Sequence, residues 1–245
     1  MVLKALLWDV DGTLAETERD GHRLAFNRAF ADAGVPLHWD PDGYAPWLAI
    51  SGGAERISAA LQQLEGALPP ADRVAALQAA KQRHYAELMA AGEIQLRPGV
   101  ADLVAEAAAA GLTQVIVTTS GRPAVQALAR HLLGELANVF AFWVCGDDVS
   151  RKKPAPDGYL QAWQRLDCAA DELICLEDSL PGLAATAAAG LPCLVTPSHY
   201  GRQEDPAGFA AARAVVSCLG PDSRVVRGPA CQPGRITLSY LELLS

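Results

Sequence analysis

Five short apolar runs constrain this chain more than any other feature: Ala5–Trp8, 114–118, 139–145, 173–176 and 193–196. Each is continuous rather than alternating, the pattern of strands buried on both faces of a parallel sheet. Helical patterns separate the last four. Pro98-Gly99 opens one, with Val100, Leu103, Val104 and Ala107 at three-to-four spacing, and Gly111 closes it. Others cover 122–133 and 157–166, and a fourth runs from Pro181 to Gly190. This alternation predicts an α/β fold, a doubly wound parallel five-stranded (Rossmann-like) sheet.

Between the first two runs no strand pattern occurs. His22, Phe26, Ala29, Phe30 and Ala33 share a helical face that stops at Gly34. Ile57, Ala60, Leu61 and Leu64 share a second face, and Val74, Leu77, Lys81 and Leu88 a third. A helical block of this size exceeds any βα loop. The expected organisation is a core of residues 1–15 and 96–220, an inserted all-helical cap domain at 16–95, and a C-terminal tail at 221–245. The tail is rich in Gly, Pro and Arg and reads as irregular, with 236–244 re-docking.

Composition narrows the partners. The 245 residues carry 28 acidic against 20 basic side chains, a net charge of −8. Nucleic-acid binding needs a basic face to neutralise phosphates, so no nucleic-acid partner is expected. No apolar run of about 18 residues exists, so no membrane span is expected. The N-terminus lacks the basic and apolar regions of a signal peptide. The six cysteines show no C-x-x-C or zinc spacing, as suits reduced thiols. A cytoplasmic, monomeric enzyme is expected.

Acidic residues gather where an open parallel sheet places its site, at the carboxyl ends of strands. Asp9-Val10-Asp11-Gly12-Thr13 follows the first run, and Glu177-Asp178 follows the fourth. If those strands are neighbours, several carboxylates converge; the usual answer to their repulsion is a divalent cation, and hard oxygen ligands favour Mg²⁺. Taken singly, each pair also reads as an ordinary turn or solvated loop. Thr118-Thr119-Ser120-Gly121 after the second run can hold a phosphate at a helix N-terminus or act as a plain cap. Lys152-Lys153-Pro154 follows the third run, two of only four lysines in the chain.

In order and placement, D-x-D-G-T, T/S, K-P and E-D resemble the four motifs of the haloacid dehalogenase superfamily, across the whole core. The resemblance implies Asp9 as a nucleophile forming an aspartyl-phosphate and Asp11 as general acid and base. It implies Mg²⁺ held by Asp9, the Asp11 backbone carbonyl, Glu177 and Asp178. Thr119, Ser120 and Lys153 would grip the phosphoryl group. True dehalogenases lack the second aspartate, so Asp11 speaks for phosphate chemistry.

An insert directly after the first motif resembles the helical cap shared by β-phosphoglucomutase and small sugar-phosphate phosphatases, which closes over the site and reads the leaving group. Three stretches are similar to the CbbY-type phosphatases, which act on xylulose 1,5-bisphosphate: Glu16-Thr17-Glu18 through His22 to Asn27, Ser51-Gly52-Gly53-Ala54-Glu55-Arg56-Ile57, and Gly92 through Arg97 to Gly99. A further match, Thr196 through His199 to Arg202, follows the fifth run. By this resemblance Glu18, His22, Gly52, Gly53 and Arg56 would face the substrate, a small sugar phosphate. That group carries Lys where this chain has Ala54, so another cation, Arg56, Arg23 or Arg83, would have to serve the phosphate that is not transferred. A phosphomutase on the same scaffold is the alternative. A signalling receiver domain places its acidic pair and acceptor Asp differently and has no insert; dinucleotide binding lacks its G-x-G-x-x-G.

Overall fold

In the computed structural model, residues 2–50, 52–231 and 234–245 are described; Ser51 of the glycine run and residues 232–233 of the tail lie outside the described residues. The chain forms two compact units, Thr17–Ile94 and Met1–Glu16 with Gln95–Ser245.

Thr17–Ile94 is helical: a π-helical turn at Thr17–His22, then α1 (Arg23–Asp32), α2 (Pro41–Tyr44), α3 (Gly53–Glu65) and α4 (Ala71–Ala90). Its core is aromatic. Trp39 packs edge-on against Phe26 and Phe30, with ring centroids 5.3 and 5.0 Å away. The Asn27 amide donates to the Trp39 carbonyl and accepts from the Trp39 N–H, both at 2.8 Å. These paired bonds fasten the loop after α1 to the helix and satisfy the buried Asn27 amide.

The second unit is built on a sheet ordered β3-β2-β1-β4-β5-β6-β7. The five expected strands form as β1 (Ala5–Trp8), β2 (Thr113–Val117), β3 (Phe140–Val144), β4 (Leu173–Glu177) and β5 (Cys193–Val195), all parallel. Two more, β6 (Ala214–Val216) and β7 (Val225–Arg227), correct the expected five to seven. Each is three residues long, too short to show a period. They become strands by pairing at the sheet edge, β7 antiparallel, rather than by local propensity.

Helices α5 (Val100–Ala109), α6 (Arg122–Leu133), α7 (Asp157–Gln164) and α8 (Leu180–Ala188) follow the strand connections. Residues 221–245 belong to this unit; α9 (Leu238–Glu242) docks with Ile236, Tyr240, Leu241 and Leu244 buried. Beneath the central strands, the Gln114 amide donates to Val104 O at 2.9 Å and accepts from the Trp8 indole at 3.1 Å. No helix among the described residues is long and apolar enough to cross a membrane.

One pairing positions the site. β1 lies directly beside β4, with Trp8 opposite Leu176. The residues that follow, Asp9 and Glu177, therefore leave the sheet side by side, and the Asp9 N–H still donates to Leu176 O at 3.0 Å.

Candidate active site

The chain turns sharply after β1. Gly12 holds φ +93°, and a Cβ there would collide with the Asp178 carboxylate. Only glycine permits both the backbone conformation and that approach. Asp9, Glu177 and Asp178 are all buried, and each offers an oxygen within 4.8 Å of the others. Glu177 is seated by a second close approach, since a Cβ on Gly182 in the first turn of α8 would overlap its carboxylate.

Lys153 enters from the loop after β3. Its Nζ lies 2.6 Å from Asp9 Oδ1 and 2.7 Å from Glu177 Oε1, and it also donates to Val117 O at 3.0 Å. The Tyr159 hydroxyl, fully buried on α7, donates to the same Glu177 oxygen at 2.5 Å. Burial pushes the Asp9 carboxyl up from its ordinary 3.8; Lys153 opposes this and the Glu177 charge adds to it, leaving the group at about 6. Burial, with the charges of Asp9 and Glu177, raises Asp178 well above the carboxylate range. Burial alone would lower Lys153, but the two carboxylates outweigh it and hold its pKa above the ordinary lysine value.

Three buried carboxyl groups converge here, and one ammonium pairs with two of them. Asp9 Oδ2 is buried with no hydrogen-bond partner among the described residues. An orphaned carboxylate oxygen in a set of hard oxygen donors fits a small divalent cation such as Mg²⁺. Asp11 is not in this carboxylate group. Its Oδ2 accepts from the Ser120 hydroxyl at 2.5 Å. Thr119 and Ser120 are half-buried between β2 and α6; Ser120 N donates to Thr118 Oγ1 at 3.1 Å. A Cβ on Gly146 would strike the Thr119 carbonyl, so this loop is closely backed.

The residues expected on the helical unit form a group of their own. Arg56 Nη1 donates to Glu18 Oε2 at 3.0 Å and to the Tyr44 hydroxyl at 2.6 Å, and Tyr44 donates to Glu18 at 2.6 Å. Burial alone would raise Glu18, but the charges of His22 and Arg56 and these bonds hold it at about 2. Gly52 precedes α3 with φ +101°, and a Cβ on Gly53 would press on the Gln78 side chain. Lys81 Nζ stands 2.8 Å from His22 Nδ1, and the His22 ring stacks on Tyr85 at 4.3 Å. Of the other cations considered, Arg23 donates to the Arg19 and Trp39 carbonyls and Arg83 is exposed. Tyr44, Lys81 and Tyr159 were not singled out by sequence as site residues. Only Lys81 carried a signal, a lysine on an apolar helical face.

The chain is similar to known proteins. A family model described as haloacid dehalogenase-like hydrolase matches residues 3–190. The protein CbbY of Cereibacter sphaeroides is 46% identical over 208 residues, 84% of this chain and 90% of that one. A solved structure of a CbbY variant from Rhodobacter sphaeroides in complex with xylulose-(1,5)bisphosphate superposes with TM-score 0.76 at 43% identity, covering 89% of this chain and 95% of that chain. A structure described as a putative β-phosphoglucomutase from Thermotoga maritima shares the fold at TM-score 0.70 and 22% identity, covering 87% of this chain and 94% of that one.

Proposed function

The chain belongs to the haloacid dehalogenase-like hydrolases and is an enzyme of their phosphatase type, and from that premise we propose that it is a Mg²⁺-dependent phosphatase of a small sugar bisphosphate, such as xylulose 1,5-bisphosphate. The observation that carries the reading is the convergence of Asp9, Glu177 and Asp178 around one lysine. Xylulose bisphosphate as the specific ligand rests on the bound CbbY relative.

In this reading Asp9 attacks phosphorus while Lys153 steadies its carboxylate. The P–O bond to the sugar breaks and Asp11 gives its proton to the departing alkoxide; a new bond joins phosphorus to Asp9. Asp11, now a carboxylate held by Ser120, takes a proton from water, whose oxygen attacks the aspartyl-phosphate and releases inorganic phosphate. Asp9, Glu177, Asp178 and the Asp11 carbonyl would hold Mg²⁺, which when bound supplies the charge neutralisation that phosphoryl transfer requires. Thr119 and Ser120 steady the transferred group. Glu18, His22, Gly52, Gly53 and Arg56, with Lys81, recognise the sugar and its second phosphate. Arg56 and Lys81 take the place of the cation missing at Ala54.

The test is phosphate release from a panel of sugar mono- and bisphosphates with Mg²⁺, run beside an isomerisation assay on glucose phosphates. Preference for a pentulose bisphosphate supports the proposal. Preference for monophosphates refutes the bisphosphate reading, and isomerisation without phosphate release would make the chain a phosphomutase.

A further inference from the structure

Arg97 lies where the core chain resumes after the helical unit, and nothing in its local sequence assigns it a role. Its side chain is 5% exposed. Nη1 donates to the carbonyls of Gly12 and Thr196, the latter at 2.6 Å. Nη2 donates to Thr196 Oγ1 at 3.1 Å and to the Pro197 carbonyl at 2.9 Å. Nε faces the Glu16 carboxylate at 3.6 Å. Four of the five guanidinium N–H donors are thereby hydrogen-bonded to protein acceptors, and the fifth faces a carboxylate at ion-pair distance.

These acceptors come from two separate segments, 12–16 and 196–197. Gly12 belongs to the turn that carries Asp9 and Asp11. Thr196 and Pro197 follow β5. Glu16 ends the first core segment, and its carboxylate also accepts from the His199 N–H at 3.1 Å. The backbone of Arg97 joins the same crossing, since its N–H donates to Leu14 O at 2.8 Å. Gly12 is also the residue against which the Asp178 carboxylate packs without room for a Cβ. The Gly12 carbonyl is thus fixed from one side by Arg97 while its Cα backs Asp178 on the other.

We propose that Arg97 is a positioning residue for the metal-binding carboxylates. It pins the Gly12 turn to the loop after β5 and so sets where Asp9, the Asp11 carbonyl and Asp178 stand. It does so through geometry rather than charge alone, because a lysine ammonium is a compact point charge and cannot reproduce the planar fork that joins the two segments. The inference rests on the Mg²⁺ reading given above. Partners that orient metal ligands from behind change metal affinity or activity by about 10- to 100-fold when removed.

The experiment compares the full-length wild type with R97M and R97K. Mg²⁺ binding is measured by calorimetry, kcat and KM on the best sugar phosphate of the panel, and Tm by melting without metal. In R97M, Mg²⁺ affinity and kcat are expected to fall by about 10- to 100-fold with KM nearly unchanged. R97K should melt closer to the wild type yet leave the Mg²⁺ affinity unrestored. A folded R97M with wild-type Mg²⁺ affinity would overturn the proposal, as would full restoration by R97K. If R97M does not fold, R97K decides alone: wild-type Mg²⁺ affinity there sinks the positioning role. Failure of the wild type itself to bind Mg²⁺ would instead refute the metal reading, and this inference with it.

Discussion

Lys153 Nζ stands 2.6 Å from Asp9 Oδ1, a buried ion pair that leaves the other aspartate oxygen without a hydrogen bond. The pair divides the carboxylate into a restrained oxygen and an available one. The same ammonium reaches Glu177, so two carboxylates depend on one cation.

Removing that cation should therefore cost more than activity. Breaking a buried pair by deleting one partner typically costs about 3–5 kcal/mol, because the remaining charges stay buried. Lys153→Met is expected to lower stability in metal-free buffer and to reduce phosphate release by at least about a hundredfold. Urea unfolding and a phosphate assay read the two effects. A variant as stable and as active as the wild type would disprove the coupling.

Asp9 gives a pH signature with a definite sign. Its pKa is raised from 3.8 to about 6 on folding, so the unfolded chain releases this proton first. Metal-free stability must then decline as pH rises between those values, by up to about 3 kcal/mol. Metal binding requires the deprotonated carboxylates, so Mg²⁺ should raise Tm more at pH 8 than at pH 5. In Asp9→Asn this titration disappears: phosphate release should be abolished, the fold retained, and the Mg²⁺-induced gain in Tm reduced. Appreciable turnover by that variant would rule Asp9 out as the nucleophile.

Gly182 offers a test that replaces no charged group. A methyl group there overlaps the Glu177 carboxylate. Gly182→Ala must displace Glu177 from Lys153 and Tyr159, and overpacking of this kind costs about 1–3 kcal/mol. The expected result is a lower Tm and weaker Mg²⁺ binding by calorimetry. An unchanged Mg²⁺ affinity would mean that Glu177 does not need its present seat to serve the metal.

The parts of this molecule that were legible in sequence share one property: their signal is local. Asp9 and Glu177 each directly follow an apolar run of recognisable composition, and Lys153 lies in the loop after another, so position along the chain already implied position at the carboxyl ends of the strands. β6 and β7 had no such mark and take their strand character from the neighbours they pair with. Tyr159, Arg97 and Tyr44 were hidden for a related reason. Each is an unremarkable residue on a helix or connection until its partners, Glu177, Gly12 and Glu18, arrive from distant segments. Lys81 is the intermediate case: its place on an apolar face was visible, but not the histidine beside it.

The placement of β1 beside β4 has a consequence for how the protein comes into being. Asp9 emerges in synthesis well before Glu177 and Asp178, which lie much later in the chain. Non-local pairings of this kind pay their loop-closure entropy before they gain any contact energy. A growing polypeptide thus carries an inert aspartate until the fourth strand has been made. The carboxylate group cannot assemble before the fourth strand has docked against the first, so catalytic competence is withheld until the sheet is nearly whole.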